Sequence, residues 1–278
     1  MLDLMIEPTV RAALLEDLGR AGDLTTEAII PAELTGGVAL VSRDHGILAG
    51  TACARIAWQL VDPTVDFRAD LMDSARLQPG SVIGVATGPV RALLTGERVA
   101  LNFLGHLSGI ATTTAAFVEA VAGTRARVCC TRKTTPGLRA VEKAAVRAGG
   151  GANHRYGLDD AVLIKDNHLA FAGSITRAVR DVRSTVGHLV KVEVEVDRLD
   201  QVEEVLAAEA DAVLLDNMSP AQLRQAVELV DGQIITEASG RVTPQTVRQL
   251  AETGVDLISV GWLTHSAPVL DIGLDYLR

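Results

Sequence analysis

From Ala126 to the last twenty residues the chain keeps one beat: a short apolar run, a polar stop, then a segment of helix length. The apolar runs are 128–130, 162–164, 190–196, 213–215, 234–237 and 257–260. The helix-length segments lie near 137–148, 174–186, 199–208, 220–229 and 244–252. A helix between two strands returns the chain to the same end of the sheet, so neighbouring strands run parallel and the units are right-handed βαβ. Six such strands, with room for a seventh, favour a closed or nearly closed α/β barrel. The alternative is an open doubly wound sheet, but no GxGxxG follows any of these strands, as a dinucleotide-binding sheet would want.

The first hundred residues are mixed. The pattern predicts a helix over 6–18, a turn at Gly22-Asp23, and strands at 38–41, 47–48 and 82–86. Two further helices are predicted at 96–107 and 112–121. The change of texture predicts two domains: 1–110, with a tail at 267–278 packing back on it, and 111–266 as the barrel carrying most of the site.

Charge narrows the class of partner. A formal net charge of −9 works against general binding to nucleic acid or an anionic membrane surface. No apolar run approaches the roughly 18 residues a membrane span needs. The N-terminus carries Asp3, Glu7, Glu16 and Asp17 and lacks a basic-then-apolar leader. Cys53, Cys129 and Cys130 form neither a CxxC pair nor a disulfide framework, which fits a reducing cytoplasm.

In parallel barrels the reactive side chains stand at the C-terminal ends of the strands. Here those positions are polar: Thr131, Arg132 and Lys133; Lys165 to His168; Glu193 and Glu195; Asp216 and Asn217; Ser239 and Gly240; Gly261. Side chains alternate along a strand, so Lys191, Glu193 and Glu195 share one face and Val192, Val194 and Val196 the other. Both faces of a parallel sheet are covered, so a charged face lines a functional interior. Carboxylates there, with Asp216 on the next strand, suit a divalent cation, Mg²⁺ more than Zn²⁺, or a developing positive charge.

The opposite pole is a basic island. Residues 131–168 hold Arg132, Lys133, Arg139, Lys143, Arg147, Arg155 and Lys165 against Glu142, Asp159, Asp160 and Asp166, a local +3 in an acidic chain. Lys143 and Arg147 read as a solvated helix face, whereas Arg132 and Lys133 precede a helix. With His154, Arg155 and Lys165 they would gather a small ligand bearing several carboxylates or phosphates. Ser239-Gly240 and the stretch from Gly261 to His265 offer backbone donors for phosphate. A bipolar site of this kind fits glycosyl or phosphoribosyl transfer, where positive charge develops on a sugar between anions.

The motifs themselves resemble the quinolinate phosphoribosyltransferase family. The resemblance runs through Gly22-Asp23-Leu24-Thr25-Thr26, Gly96-Glu97-Arg98-Val99-Ala100-Leu101-Asn102-Phe103-Leu104 and Ser108-Gly109-Ile110-Ala111-Thr112. It continues through 131–139, Gly149-Gly150-Gly151-Ala152-Asn153-His154-Arg155 and Leu163-Ile164-Lys165-Asp166-Asn167-His168. It ends with Leu215-Asp216-Asn217-Met218 and Gly261-Trp262-Leu263-Thr264-His265-Ser266. It implies an α/β fold, an N-terminal α/β sandwich domain plus an incomplete parallel α/β barrel. It also implies a cytoplasmic homodimer with shared active sites, further association of dimers being left open. The implied reaction joins quinolinate and phosphoribosyl pyrophosphate, with Mg²⁺, into nicotinate mononucleotide, pyrophosphate and CO₂.

By resemblance Arg132, His154, Arg155 and Lys165 hold the quinolinate carboxylates, and Arg98 reaches in from the partner subunit. Lys133, Glu195 and Asp216 serve the phosphoribosyl donor and its metal, and Ser239, Gly240, Gly261 and His265 hold phosphate. The implied catalytic set is Lys133, Lys165, Glu195 and Asp216. The family pattern, not strand alternation, selects Glu195 over Glu193.

Three positions depart from it. Cys130 stands in place of Asp, Arg241 in place of a second glycine and Trp262 in place of a small residue. Cys130 is expected to fill core space, Arg241 to need an unusual φ, and Trp262 to alter the volume of the pocket. Competing readings are a paralogue found with molybdate-transport genes, a Schiff-base aldolase using Lys165, and a silent scaffold. The Lys165–His168 motif weighs against the first and the retained charges against the last, and borohydride trapping of an adduct on Lys165 would single out the second.

Overall fold

The computed structural model describes residues 2–277 and divides into two units. The first comprises Met1–Ala115, Thr134–Gly150 and Thr264–Arg278; the second comprises Ala116–Lys133 and Gly151–Leu263. The first unit is therefore discontinuous in sequence and takes in 134–150 as well as the two ends of the chain.

The elements of the first half are α1 (Asp3–Leu18), α2 (Leu24–Ile29), β1 (Thr35–Ser42), β2 (Gly46–Ile47), α3 (Thr51–Val61), β3 (Asp66–Ala69), β4 (Arg76–Leu77), β5 (Val82–Pro89) and α4 (Val90–Ala120). Then come β6 (Arg127–Cys129), α5 (Arg139–Ala148), β7 (Val162–Ile164), α6 (Asp166–Ala172), α7 (Ile175–Arg183), β8 (Val192–Val196), α8 (Leu199–Ala207) and β9 (Ala212–Asp216). The chain ends with α9 (Pro220–Val230), β10 (Ile235–Ser239), α10 (Val247–Ala251), β11 (Leu257–Ser259), α11 (Trp262–His265) and β12 (Ile272–Leu277).

In the first unit a four-stranded sheet runs β12-β1-β5-β3, each pair antiparallel. Ile6, Val10 and Leu14 bury one face of α1, at a spacing of four residues, and α1 packs against α3. Full burial of each such aliphatic side chain contributes roughly 1.5–3 kcal/mol.

The helices expected at 96–107 and 112–121 are one continuous α4 of 31 residues. Its glycines are not breaks. A Cβ on Gly109 would stand 2.0 Å from the Pro268 carbonyl oxygen, and one on Gly105 2.9 Å from that of Leu270. Those positions are bare so that the 268–270 segment can lie against the helix.

In the second unit the sheet is six-stranded and parallel, in the order β6-β11-β10-β9-β8-β7. From β7 to β11 the strands follow sequence order, and the first strand, β6, lies beside the last. That wrap-around separates a barrel from a doubly wound sheet, whose order reverses at a switch point. Among the described residues β6 and β7 do not pair; Cys129 instead makes a single parallel bridge to Ala152. The barrel is incomplete at that seam, and the 152 segment supplies the remnant of a seventh strand. Val192, Val194, Val196, Val213, Leu215 and Ile258 join helix residues such as Val202, Leu223 and Val247 in one buried cluster.

Candidate active site

All six barrel strands end on one rim, because parallel strands share a C-terminal edge. The side chains there fall into two depths. Near the surface, Lys165 follows β7 and Glu195 stands near the end of β8, and Lys165 Nζ donates to Glu195 Oε2 at 2.6 Å. Val196 pairs with Leu215, which sets Asp216 one residue further along the neighbouring strand. Asp216 Oδ2 accepts from Asn217 Nδ2 at 2.7 Å, and Asn217 N–H donates to the Ser239 carbonyl at 2.9 Å.

Gly240 continues this turn with φ +107°, and a Cβ on it would sit 2.2 Å from Asn217 Oδ1. Only glycine fits. Arg241 carries φ +43°, so the unusual φ expected there is present, on a side chain that pays for it.

His168, read in the sequence as part of a strand-end loop, instead sits in the first turn of α6. Its Nδ1 accepts from the Lys165 backbone N–H at 2.9 Å, a reverse cap that fixes the backbone carrying Lys165.

Below this layer the site is drier. His154 Nε2 lies 3.0 Å from Glu193 Oε2 and 3.7 Å from Glu237 Oε1. Its Nδ1 accepts from the Arg155 backbone N–H at 2.7 Å. Glu193 and Glu237 are 9% and 1% exposed. Burial lowers the His154 pKa, but the hydrogen bond it donates to Glu193 and the charges of Glu237 and Glu193 outweigh it, so the net shift is upward. Burial first, then the neighbouring Glu193 charge, pushes Glu237 up to about 7.

A nitrogen and two carboxylates within 4.8 Å of one another have the size of a cation site. The Nδ1 acceptor role argues against a metal there. A neutral ring accepting at Nδ1 carries its proton on Nε2, the only atom facing the carboxylates, and a protonated nitrogen cannot ligate.

The cations gather on the 131–155 side. Arg132 is half-buried, and its Nε is buried without a hydrogen-bond partner. Arg155 donates from Nη1 to the Ala161 carbonyl at 3.1 Å. Burial lowers the Arg155 pKa, and the Arg132 charge lowers it further, so two guanidinium groups press on each other. Such a pair calls for an anion. Lys133 is exposed, its backbone N–H donating to Thr131 Oγ1 at 3.0 Å, and Gly261 opens the turn after β11.

Two expected residues belong to the first unit. Arg98 lines a groove of about 720 Å³ with Glu16, Asp17, Asn102, His106 and Pro136. His265 is exposed and its Nδ1 shares a hydrogen bond with Ser266 Oγ at 2.6 Å.

Of the departures, Cys130 is fully buried and its thiol donates to Asn153 Oδ1 at 3.3 Å, more than space-filling alone. Trp262 stacks edge-on against Phe117, with centroids 5.9 Å apart.

Glu237 was missed in the sequence. The signal was there: a carboxylate inside a strand covered on both faces is the same anomaly that singled out Glu193 and Glu195.

Known proteins resemble the chain over nearly its whole length. Residues 23–108 match the quinolinate phosphoribosyl transferase N-terminal domain, and residues 110–275 match the C-terminal domain of the same family. The nicotinate-nucleotide pyrophosphorylase [carboxylating] of Mycobacterium leprae is 45% identical over 272 residues, spanning 96% of this chain and 95% of that one. The crystal structure of NadC from Streptococcus pyogenes superposes with a TM-score of 0.95 at 43% identity, covering 100% of this chain and 99% of the other. The nicotinate-nucleotide pyrophosphorylase from Francisella tularensis gives 0.93 at 35% identity, covering 100% and 98%.

Proposed function

The chain belongs to the quinolinate phosphoribosyltransferase family, and from that premise we propose how its side chains divide the work. The reaction transfers phosphoribosyl from phosphoribosyl pyrophosphate to quinolinate with loss of CO₂, giving nicotinate mononucleotide and pyrophosphate for NAD biosynthesis.

Arg132, Arg155, His154 and Lys165 receive the two carboxylates of the pyridine. The observation that carries this is the pair of mutually repelling guanidinium groups, Arg132 with a buried, unpartnered Nε. A dicarboxylate relieves both problems, and each charge-assisted bond contributes roughly 1.5–3 kcal/mol. Lys133 takes the phosphoribosyl donor. Ser239, Gly240, Gly261 and His265 receive phosphate, and the bare Gly240 lets backbone approach it closely. Arg98 completes the pyridine site from a partner subunit in a homodimer.

Glu195 and Asp216 form an oxygen-only donor set on adjacent strands, which suits Mg²⁺. When bound, the ion would neutralise charge on the pyrophosphate.

The pyridine nitrogen attacks the anomeric carbon as pyrophosphate leaves, and positive charge builds on the sugar. Glu195 and Asp216 stabilise that charge, and Lys165, paired with Glu195, sits between the two poles. The ribosylated ring carries positive charge, which stabilises the carbanion left on the ring carbon as CO₂ departs, and that carbon then takes a proton from solvent. Little proton transfer is needed, so positioning and electrostatics dominate.

No described helix is long and apolar enough to cross a membrane. The three cysteines are buried thiols outside any disulfide, in keeping with a cytoplasmic enzyme.

The test is direct. Protein, quinolinate, phosphoribosyl pyrophosphate and Mg²⁺ should yield nicotinate mononucleotide, and nicotinate in place of quinolinate should not. Arg132→Ala and Lys165→Ala should each cost at least about a hundredfold in kcat/KM for quinolinate. Losses below about threefold in both variants would sink the assignment.

A further inference from the structure

Asn217 stands directly after β9, inside the 215–218 motif, and the division of labour above gives it no task. Its backbone N–H donates to the Ser239 carbonyl at 2.9 Å. Its side-chain Nδ2 donates to Asp216 Oδ2 at 2.7 Å. Its Oδ1 lies against Gly240, where an added Cβ would overlap it. Asp216 and Ser239 are themselves register partners on β9 and β10. One asparagine therefore spans two strand ends, between the carboxylate assigned to the metal and the turn assigned to phosphate.

The residue type suits the position. Asn217 has φ +54°, in the left-handed region, which asparagine enters more readily than most side chains. A carboxylate only accepts hydrogen bonds, so the amide turns its NH₂ to Asp216 and its oxygen to Gly240. Leu215 and Met218, on either side, are 0% and 7% exposed and belong to the barrel core. Packing holds the main chain there, whereas Asn217 itself is exposed. Water competes for an exposed amide, so its bond to Asp216 adds little to folding stability. What the bond does is aim the carboxylate.

We propose that Asn217 is a positioning residue for the phosphoribosyl donor: its amide fixes the Asp216 carboxylate in register with the Ser239-Gly240 turn. The role rests on the reading of Asp216, Ser239 and Gly240 as the donor's end of the site. Phosphoribosyl pyrophosphate carries phosphate groups at both ends of its sugar, so the groups that receive it must stand at set distances from one another. Without the amide the Asp216 carboxylate turns freely about its side-chain bonds, and binding has to restrict that motion first. Arg132, Arg155 and Lys165, assigned to quinolinate, lie after other strands, so the loss should fall on the donor alone.

Two variants separate the amide from the backbone. Asn217→Gly deletes the amide and adopts the left-handed φ without strain; Asn217→Ala deletes the amide and strains the φ. Phosphoribosyl pyrophosphate is titrated calorimetrically, with Mg²⁺, into each enzyme saturated with phthalate. Phthalate has two adjacent carboxylates but no ring nitrogen to attack, so no turnover intervenes. Both variants should bind the donor about tenfold more weakly than wild type, the low end of what a hydrogen bond to a charged group contributes. In turnover the KM for phosphoribosyl pyrophosphate should rise by about the same factor, with the KM for quinolinate within about twofold of wild type. Asn217→Gly should melt within about 4 °C of wild type, which sets a loss of fold aside as the cause.

Donor binding by Asn217→Gly within about twofold of wild type overturns the proposal, whatever Asn217→Ala does. An equal loss for both substrates in Asn217→Gly also overturns it, because a disturbed rim would act on both. Asp216→Ala reports separately on the reading beneath. If that variant binds the donor as tightly as wild type, the donor's end lies elsewhere, and the assignment of Asp216 falls together with the role of Asn217. A loss in Asp216→Ala beside an unchanged Asn217→Gly removes the positioning role and leaves the assignment of Asp216 standing.

Discussion

Each unit of the molecule sets a histidine against buried glutamate, and the two arrangements differ in how completely their oxygens are satisfied. In the first unit His106 Nε2 lies 2.8 Å from Glu142 Oε1, and Glu142 Oε2 accepts from the Thr135 backbone N–H at 3.1 Å. Glu142 is fully buried, yet both its oxygens have partners. In the second unit His154 faces two carboxylates, and one oxygen of Glu237 has none. The same chemistry serves stability where every lone pair is answered. Where one is left over, the residue retains a choice of protonation that a substrate or a change of pH can influence.

The largest expected effect follows from the satisfied pair. Glu142→Ala removes the acceptor for both His106 and the Thr135 N–H, and should cost about 3 kcal/mol of unfolding free energy in urea titrations at pH 7. A cost below about 1 kcal/mol would mean that the 134–138 turn is held by something else, and the contrast between the two pairs would collapse.

Glu237→Gln sharpens the contrast from the other side. A carboxyl group whose folded pKa is raised from its ordinary 4.5 to about 7 holds its proton more tightly in the folded chain. Between those values the folded state binds more protons than the unfolded one, so stability is highest at the acid end and falls as pH rises towards about 7. Above that window the cost is fully present. The glutamine variant cannot ionise, so its melting temperature should fall less between pH 5 and 7.5 than that of wild type. Equal slopes in the two proteins would place the proton elsewhere.

The difference between the two pairs also marks how far a sequence can be read. The barrel strands and their rim were legible because βαβ rhythm and strand alternation are local patterns. Glu193 and Glu195 stood out on that basis, and Glu237 on β10 carries the same mark. The spatial distinction between them was not legible. Glu193 and Glu195 share a face two residues apart, yet one meets His154 and the other Lys165, because depth along the barrel is set by strands distant in sequence. The break expected between 107 and 112 is absent from α4, where Gly105 and Gly109 answer the close approach of 268–270, a contact no short window contains. The helix α3 escaped notice although its signal was local. Its buried face carries Cys53, Ala54, Ile56, Ala57 and Trp58, an apolar stripe that the sequence reading passed over.

The smallest expected effect concerns backbone in place of side chains. At Gly240 and Arg241 the turn after β10 passes through two successive positive φ angles, +107° and +43°. Gly240 has no alternative, since any Cβ would overlap Asn217. Arg241 is exposed, so its side chain is free to do nothing, and the left-handed conformation costs it about 1 kcal/mol relative to glycine. Glycine also gains entropy in the unfolded chain, which offsets part of that relief. Arg241→Gly should therefore shift stability by less than about 1 kcal/mol in either direction. If phosphate is held here by backbone N–H groups, the variant should also keep the KM for phosphoribosyl pyrophosphate within about twofold. A tenfold rise would instead make the Arg241 guanidinium a ligand, and the departure from glycine would then be an added cation at the phosphate end of the site.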